Sequence, residues 1–250
     1  MNHNEIIKNE IRFYVDIESI DKNCIQFPVH HIHQIVNVLK KKAGDTVFIF
    51  NGKFKEYKVI LEKVSKSEVK GYVEEEYSYN GELDVNITLY QSLVEPSRME
   101  MIIQKCTELG VKNIVPVISE KCKYKMISEN KFKRWKNIVT ESSEQSFRSV
   151  LMDIKEIMNF KDACLKSDGL RIFCNEFEMK NNINVISNSD LQTNFRSNVS
   201  IFVGPVSGYS EDEISFAKKC DLISVSLGKR ILRTETAAIV SVANIINQLT

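Results

Sequence analysis

Two loops of this chain carry residue types suited to holding a small polar ligand. GPVSGYS (204–210) follows the apolar run VSIFV, and GKRILRTET (228–236) follows ISVSL. Gly204, Gly208 and Gly228 let backbone approach a ligand closely or adopt positive φ. The second loop adds Lys229, Arg230 and Arg233. Ligands bind beyond the carboxyl ends of parallel strands, so two such loops at strand ends predict one site. Tight strand-to-helix turns are the plainer reading of the same glycines. Neither loop is a G-x-G-x-x-G fingerprint or a G-x-x-x-x-G-K-[ST] phosphate loop, which argues against dinucleotide and nucleoside-triphosphate chemistry.

A third stretch, residues 98–136, holds 10 basic and 4 acidic side chains. Its runs KCKYK and KFKRWK are either a solvated helix face or a phosphate-binding edge built on Lys131, Lys133 and Arg134. Tyr124 and Trp135 would then be stacking surfaces. Other chemistry is thin. All four histidines (His3, His30, His31, His33) precede residue 34. A Ser-His-Asp or Cys-His site in the remainder would therefore need its imidazole from the N-terminal part. The six cysteines show no C-x-x-C spacing and read as reduced core residues, so neither a zinc site nor any other metal is expected. The HHIH cluster reads as a strand-to-helix junction without ligand duty.

These residues need elements to position them. At 250 residues with 43% hydrophobic and 27% charged side chains, the composition is that of a globular protein of one large or two modest domains. Net charge is +1, which argues against bulk coating of a polyanion. No apolar run reaches the ~18 residues of a membrane span, and charges interrupt the first sixteen residues, so no signal peptide, no membrane and a cytoplasmic location are expected.

Residues 1–75 read as a small β-rich unit: RFYV (12–15), TVFIF (46–50), EYKVILE (56–62) and EVKGYVE (68–74) are strand-like, with a hairpin turn at Asn51-Gly52. Residues 31–42 read as a helix ended by Gly44, and EEEYSYNGE (74–82) as a linker. From residue 80 the rhythm becomes β-α-β-α-β-β-α-β-α, an α/β domain with a mostly parallel sheet. Capping boxes are expected at Ser97 with Glu100 and at Ser210 with Glu213. The last helix, from Glu235 to Gln248, spreads Ala238, Ile239, Val242, Ala243, Ile245, Ile246 and Leu249 over about half its circumference. That width fits either a subunit interface or burial within one subunit.

LGKRILRTETA (227–237) and GPVSGYSEDE (204–213) resemble the cofactor end of the SPOUT class of S-adenosylmethionine-dependent methyltransferases. More narrowly, the chain is similar to the RsmE-type enzymes that methylate N3 of a uridine in 16S ribosomal RNA. Arg12-Phe13-Tyr14-Val15 is similar to their RFF/YV, and His33 with Val38-Leu39-Lys40 and Gly44-Asp45 to their H…VLR…GD. Arg98-Met99-Glu100 and IIQKCTELGV (102–111) resemble their central helix, Ser119-Glu120-Lys121 their SER motif, and ESSEQSFR (141–148) their EAAEQSGR.

The resemblance implies an N-terminal PUA-like RNA-binding β-barrel (1–75). It implies a C-terminal SPOUT α/β domain (80–250) with a deep trefoil knot at about 200–250, and a homodimer through that domain. S-adenosylmethionine would rest on Val203, Gly204, Pro205, Gly208, Ser226, Leu227, Gly228, Ile231 and Leu232. Arg233 would face uracil or phosphate, Glu120 would be a base or orienter, and Arg12 would contact RNA of the 30S subunit. Three departures stand out. GPEGG is replaced by Gly204-Pro205-Val206-Ser207-Gly208, a PKGDK-like loop by Val94-Glu95-Pro96-Ser97-Arg98, and a usual proline by Lys229. They leave open a non-catalytic RNA-binding or ribosome-assembly protein with a weakened cofactor site, or a methyltransferase of another RNA.

Overall fold

The computed structural model describes residues 11–16, 20–21, 23–78, 81–186 and 198–249. His3 therefore lies outside the described residues, as does the side chain of Leu249. The chain divides into two compact units, Met1–Glu82 with Ser143–Leu151, and Leu83–Ser142 with Met152–Thr250.

The first unit is a six-stranded sheet in the order β1-β4-β5-β6-β3-β2. Its strands are β1 (Arg12–Tyr14), β2 (Ile20–Asp21), β3 (Cys24–Gln26), β4 (Thr46–Phe50), β5 (Lys55–Val64) and β6 (Val69–Ser78). β1 pairs parallel to β4 and the other pairs are antiparallel. Side chains alternate across a strand. One face buries Phe13, Ile49, Tyr57, Val59 and Leu61, with Ile32 and Ile35 packed on it from α1 (Val29–His33) and its π-helical continuation. That helix stops sooner than its apolar spacing suggests. Lys40 takes φ +53° four residues before Gly44, whose own φ of +90° serves the following turn. The acidic run expected to be a linker is strand as far as Ser78. Lys58 pairs with Glu74 at 2.6 Å and Lys55 with Glu76 across the β5–β6 ladder, so charge that reads as solvent-seeking in sequence is used in cross-strand pairs.

The second unit is a parallel sheet in the order β10-β8-β7-β12-β11-β13, with β9 also on β8. Its strands are β7 (Asn86–Ser92), β8 (Asn113–Ile118), β9 (Asp153–Ile154), β10 (Met158–Asn159), β11 (Leu170–Cys174), β12 (Asn198–Val203) and β13 (Ile223–Val225). Helices α2 (Pro96–Glu108), α3 (Glu129–Gln145), α4 (Phe160–Lys166), α5 (Glu211–Lys219) and α6 (Thr234–Leu249) complete the α/β unit. One face of the sheet buries Tyr90, Val117, Phe173 and Phe202 against Phe160, Ala163 and Ala217. Tyr90 and Phe202 stack at 4.4 Å.

The capping box at Ser210 and Glu213 forms in full, but the one expected at Ser97 does not. Pro96 occupies the first helical turn, where its missing N–H costs nothing, and moves the cap back to Glu95. Glu100 is then free to pair with Arg134.

Candidate functional site

The sheet order puts β12, β11 and β13 side by side, so Val203, Cys174 and Val225 end at the same carboxyl edge. Beyond that edge lies a cleft of about 130 Å³. Val203, Gly204, Pro205 and Gly208 line one side of it. Ser226, Leu227, Gly228, Ile231 and Leu232 line the other, so the geometry brings all nine sequence-selected positions to one place.

Hydrogen bonds hold the two loops in register. Thr234, at the start of α6, donates through Oγ1 to the Gly204 carbonyl at 2.7 Å and accepts from Gln91 Nε2 at 3.1 Å. Ser226 donates its N–H to Asn181 O at 2.8 Å, and Ile183 N–H returns to Ser226 O at 2.9 Å. Lys121 Nζ donates to the Tyr209 carbonyl at 2.9 Å. Behind Gly204 the Tyr209 ring is buried against Phe173 at 4.5 Å, and burial raises its hydroxyl pKa well above the ordinary value.

Sequence reasoning missed a third wall, Cys174-Asn175-Glu176. No glycine marks it; the available signal was that LRIFC is a parallel strand whose end must share the edge. Glu176 is the carboxylate of the cleft, whose lining also includes Lys229 and Arg230. Its carboxylate sits so close to Gly208 that a Cβ there would lie 2.1 Å from Oε1. Burial pushes the Cys174 thiol to about 12, so this group lines the cleft as a small neutral wall rather than a nucleophile.

The remaining candidates fare differently. Arg233 is exposed and stands outside the lining, one residue before α6. Glu120 has an exposed side chain that also stands outside the lining, and its backbone N–H donates to Glu213 Oε1 at 2.8 Å.

Arg12, expected at an RNA surface, is 2% exposed. Its guanidinium pairs with Glu56 at 2.8 Å, donates to the Arg148 carbonyl at 2.8 Å and lies over the rings of Phe50 and Phe147. It points to the face of β1 opposite Phe13, which is why an arginine in an exposed-looking strand ends inside. Trp135 is buried too and cannot stack on a base, whereas Tyr124 is exposed. On α3, Lys131 and Lys133 are exposed, but Arg134 is clamped by Glu100 at 2.7 and 2.8 Å. Replacing Lys131 and Lys133 by alanine is therefore expected to lower the salt slope of RNA binding by about two counterions, since each phosphate contact releases roughly one. Titrations at four salt concentrations measure it, and an unchanged slope returns these lysines to the solvated-face reading. The described residues contain no cluster of three metal-ligating side chains and no helix long and apolar enough to cross a membrane.

Residues 81–246 match the model of an RNA methyltransferase domain, and residues 29–71 that of an RNA methyltransferase PUA domain. The ribosomal RNA small subunit methyltransferase E of Rickettsia conorii is 28% identical over 94% of both chains. That of Mesomycoplasma hyopneumoniae is 35% identical over 68% of this chain and 73% of its own. Among solved structures, a putative methyltransferase from Legionella pneumophila with bound S-adenosylmethionine has a TM-score of 0.86 at 28% identity, covering 96% of this chain and 98% of that one. The ribosomal RNA small subunit methyltransferase E of Neisseria gonorrhoeae, also bound to S-adenosylmethionine, has a TM-score of 0.83 at 28% identity with the same coverage.

Proposed function

This chain belongs to the ribosomal RNA small subunit methyltransferase E family, and from that premise we propose that it methylates N3 of a uridine in 16S ribosomal RNA with S-adenosylmethionine. The observation that carries the reading is the convergence of nine selected residues on one cleft at the carboxyl edge of three parallel strands. The lining fits the cofactor. Gly228, at φ +114°, leaves open space where a Cβ would stand. The turn 205–208 and the segment 226–232 expose backbone for an adenine edge, and Glu176 offers acceptors for ribose hydroxyls or an ammonium group. When bound, the cofactor supplies an electrophilic methyl group on sulfur.

The protein's part is positioning and charge. Holding the nitrogen in line removes several kcal/mol of orientational cost. Arg233 is proposed to stabilise the uracil anion left when N3 gives up its proton, acting from the rim of the cleft. We assign homodimer contacts to the half-buried stripe Ile239, Ala243 and Ile246 of α6, since Ala238, Val242 and Ile245 are buried within the subunit. A sedimentation mass of one subunit would sink that assignment.

The test of function is mass spectrometry of ribosomal RNA from a deletion strain, where one 3-methyluridine should disappear and return on complementation. An unchanged nucleoside inventory refutes the reading. The departed loop has its own test. Val206 is 64% exposed and beside the cleft, so a carboxylate fits there without burial. Val206→Glu with Ser207→Gly, which restores GPEGG, is expected to bind S-adenosylmethionine at least as tightly as the parent by isothermal titration. Weaker binding would mean that GPVSG is a working variant rather than a degraded one.

A further inference from the structure

Beside the cofactor cleft lies a second one, of about 210 Å³, and Val206 is a wall of both. Its base is apolar, formed by the buried side chains of Leu93 and Val94 as the chain leaves β7 for α2. Its rim is aromatic and cationic, with the Tyr124 ring 39% exposed and Lys123 beside it, also exposed. Lys121 is not free for a ligand here, because its ammonium is spent on the carbonyls of Tyr209 and Ser207, which fixes the shared wall. Arg98 is likewise held, by Glu235 at 3.2 Å and Glu95 at 3.6 Å.

That leaves an exposed ring, an exposed lysine and an apolar base, one residue away from the place assigned to the methyl donor. An unstacked nucleotide matches each part: its base has two π-faces to stack and an apolar body to shelter, and its phosphate needs a cation at the rim. We propose that this second cleft receives the target nucleotide, with its base stacked on Tyr124 and its backbone phosphate at Lys123. This rests on the methyltransferase reading above. It also gives Tyr124, one of two aromatics singled out in the basic stretch, a place at the site from which the burial of Trp135 excludes its companion.

The experiment compares the parent protein with Tyr124→Ala, Tyr124→Phe and Lys123→Ala. Methyl transfer from radiolabelled S-adenosylmethionine to 30S subunits lacking the modification is measured alongside cofactor affinity by isothermal titration. Tyr124→Ala is expected to lose roughly ten- to hundredfold in kcat/KM, the range of one lost base–aromatic stack. Tyr124→Phe should recover most of it. Lys123→Ala should raise KM and flatten its salt dependence. All three should bind S-adenosylmethionine within about twofold of the parent. Parental transfer by Tyr124→Ala overturns the assignment, and so does an equal loss of cofactor affinity, which would place the ring in the first cleft. A parent that binds the cofactor and methylates the subunit keeps the function whichever way the variants fall. A parent that does neither overturns both.

Discussion

The Arg12→Ala protein is expected to lose about 3–5 kcal/mol of stability in its first unit, with no RNA-specific defect beyond that. The number follows from what the substitution leaves behind. Glu56 is 1% exposed and its carboxylate faces the Arg12 guanidinium. Removing one partner of a buried pair strands the other without water, and that uncompensated charge costs more than the pair contributes net. The Arg148 carbonyl loses a donor, and the rings of Phe50 and Phe147 lose the flat cation between them. Urea unfolding followed by circular dichroism measures the loss. A variant of parental stability that binds RNA poorly would return Arg12 to the surface role its sequence position suggests.

The second large effect falls on the cofactor cleft. Gly208→Val should weaken S-adenosylmethionine binding by at least a hundredfold, about 2.7 kcal/mol. Gly208 sits at φ +67°, where a β-branched residue is a true outlier. Any Cβ there would meet the Glu176 carboxylate at 2.1 Å. That carboxylate ends a flexible side chain and can swing away, so the fold should survive while the cleft loses its acidic wall. The 205–208 turn, closed by Gly208 N–H to Pro205 O at 3.0 Å, has to open to relieve φ. Calorimetry with S-adenosylmethionine, beside a melting curve, separates site damage from unfolding. Affinity within threefold of the parent would show that this turn does not shape the site.

How far the chain could be read ahead depended on whether local or distant groups decide each residue's fate. Strands such as TVFIF and VSIFV announce themselves, because β-branched and aromatic runs are decided locally. So is the Ser210–Glu213 box, whose two partners lie within one turn. Ser97 and Glu100 satisfy the same pattern, yet Pro96 fixes the helix start two residues earlier and Glu100 finds a longer-range partner. The helix α4 is not legible in the sequence because seven residues hold too little periodicity, although Asn159 caps it by accepting from Asp162 N–H. Arg12 and Trp135 are buried against expectation for a shared reason. Exposure is a property of the face a residue lands on, and Arg12 lands under residues some 136 positions away, a separation that composition does not carry. The cleft was legible at Gly204 and Gly228, where backbone chemistry is written as glycine, and illegible at Cys174-Asn175-Glu176, where only sheet order places the residues.

Ser143–Leu151 belongs to the first unit although the residues before and after it belong to the second. During synthesis the first 82 residues leave the ribosome before the segment that buries Arg12 and Glu56 has been made. At about 5–20 residues per second the delay before residue 151 emerges is roughly 3–14 s. Through that interval the first unit has all six strands of its sheet but lacks the segment that covers Arg12 and Glu56. The first unit should therefore be protease-sensitive in a nascent chain halted after residue 82, and resistant in one halted well past residue 151. The N-terminal unit comes first along the chain but cannot close until the second unit's residues 83–142 have also been made.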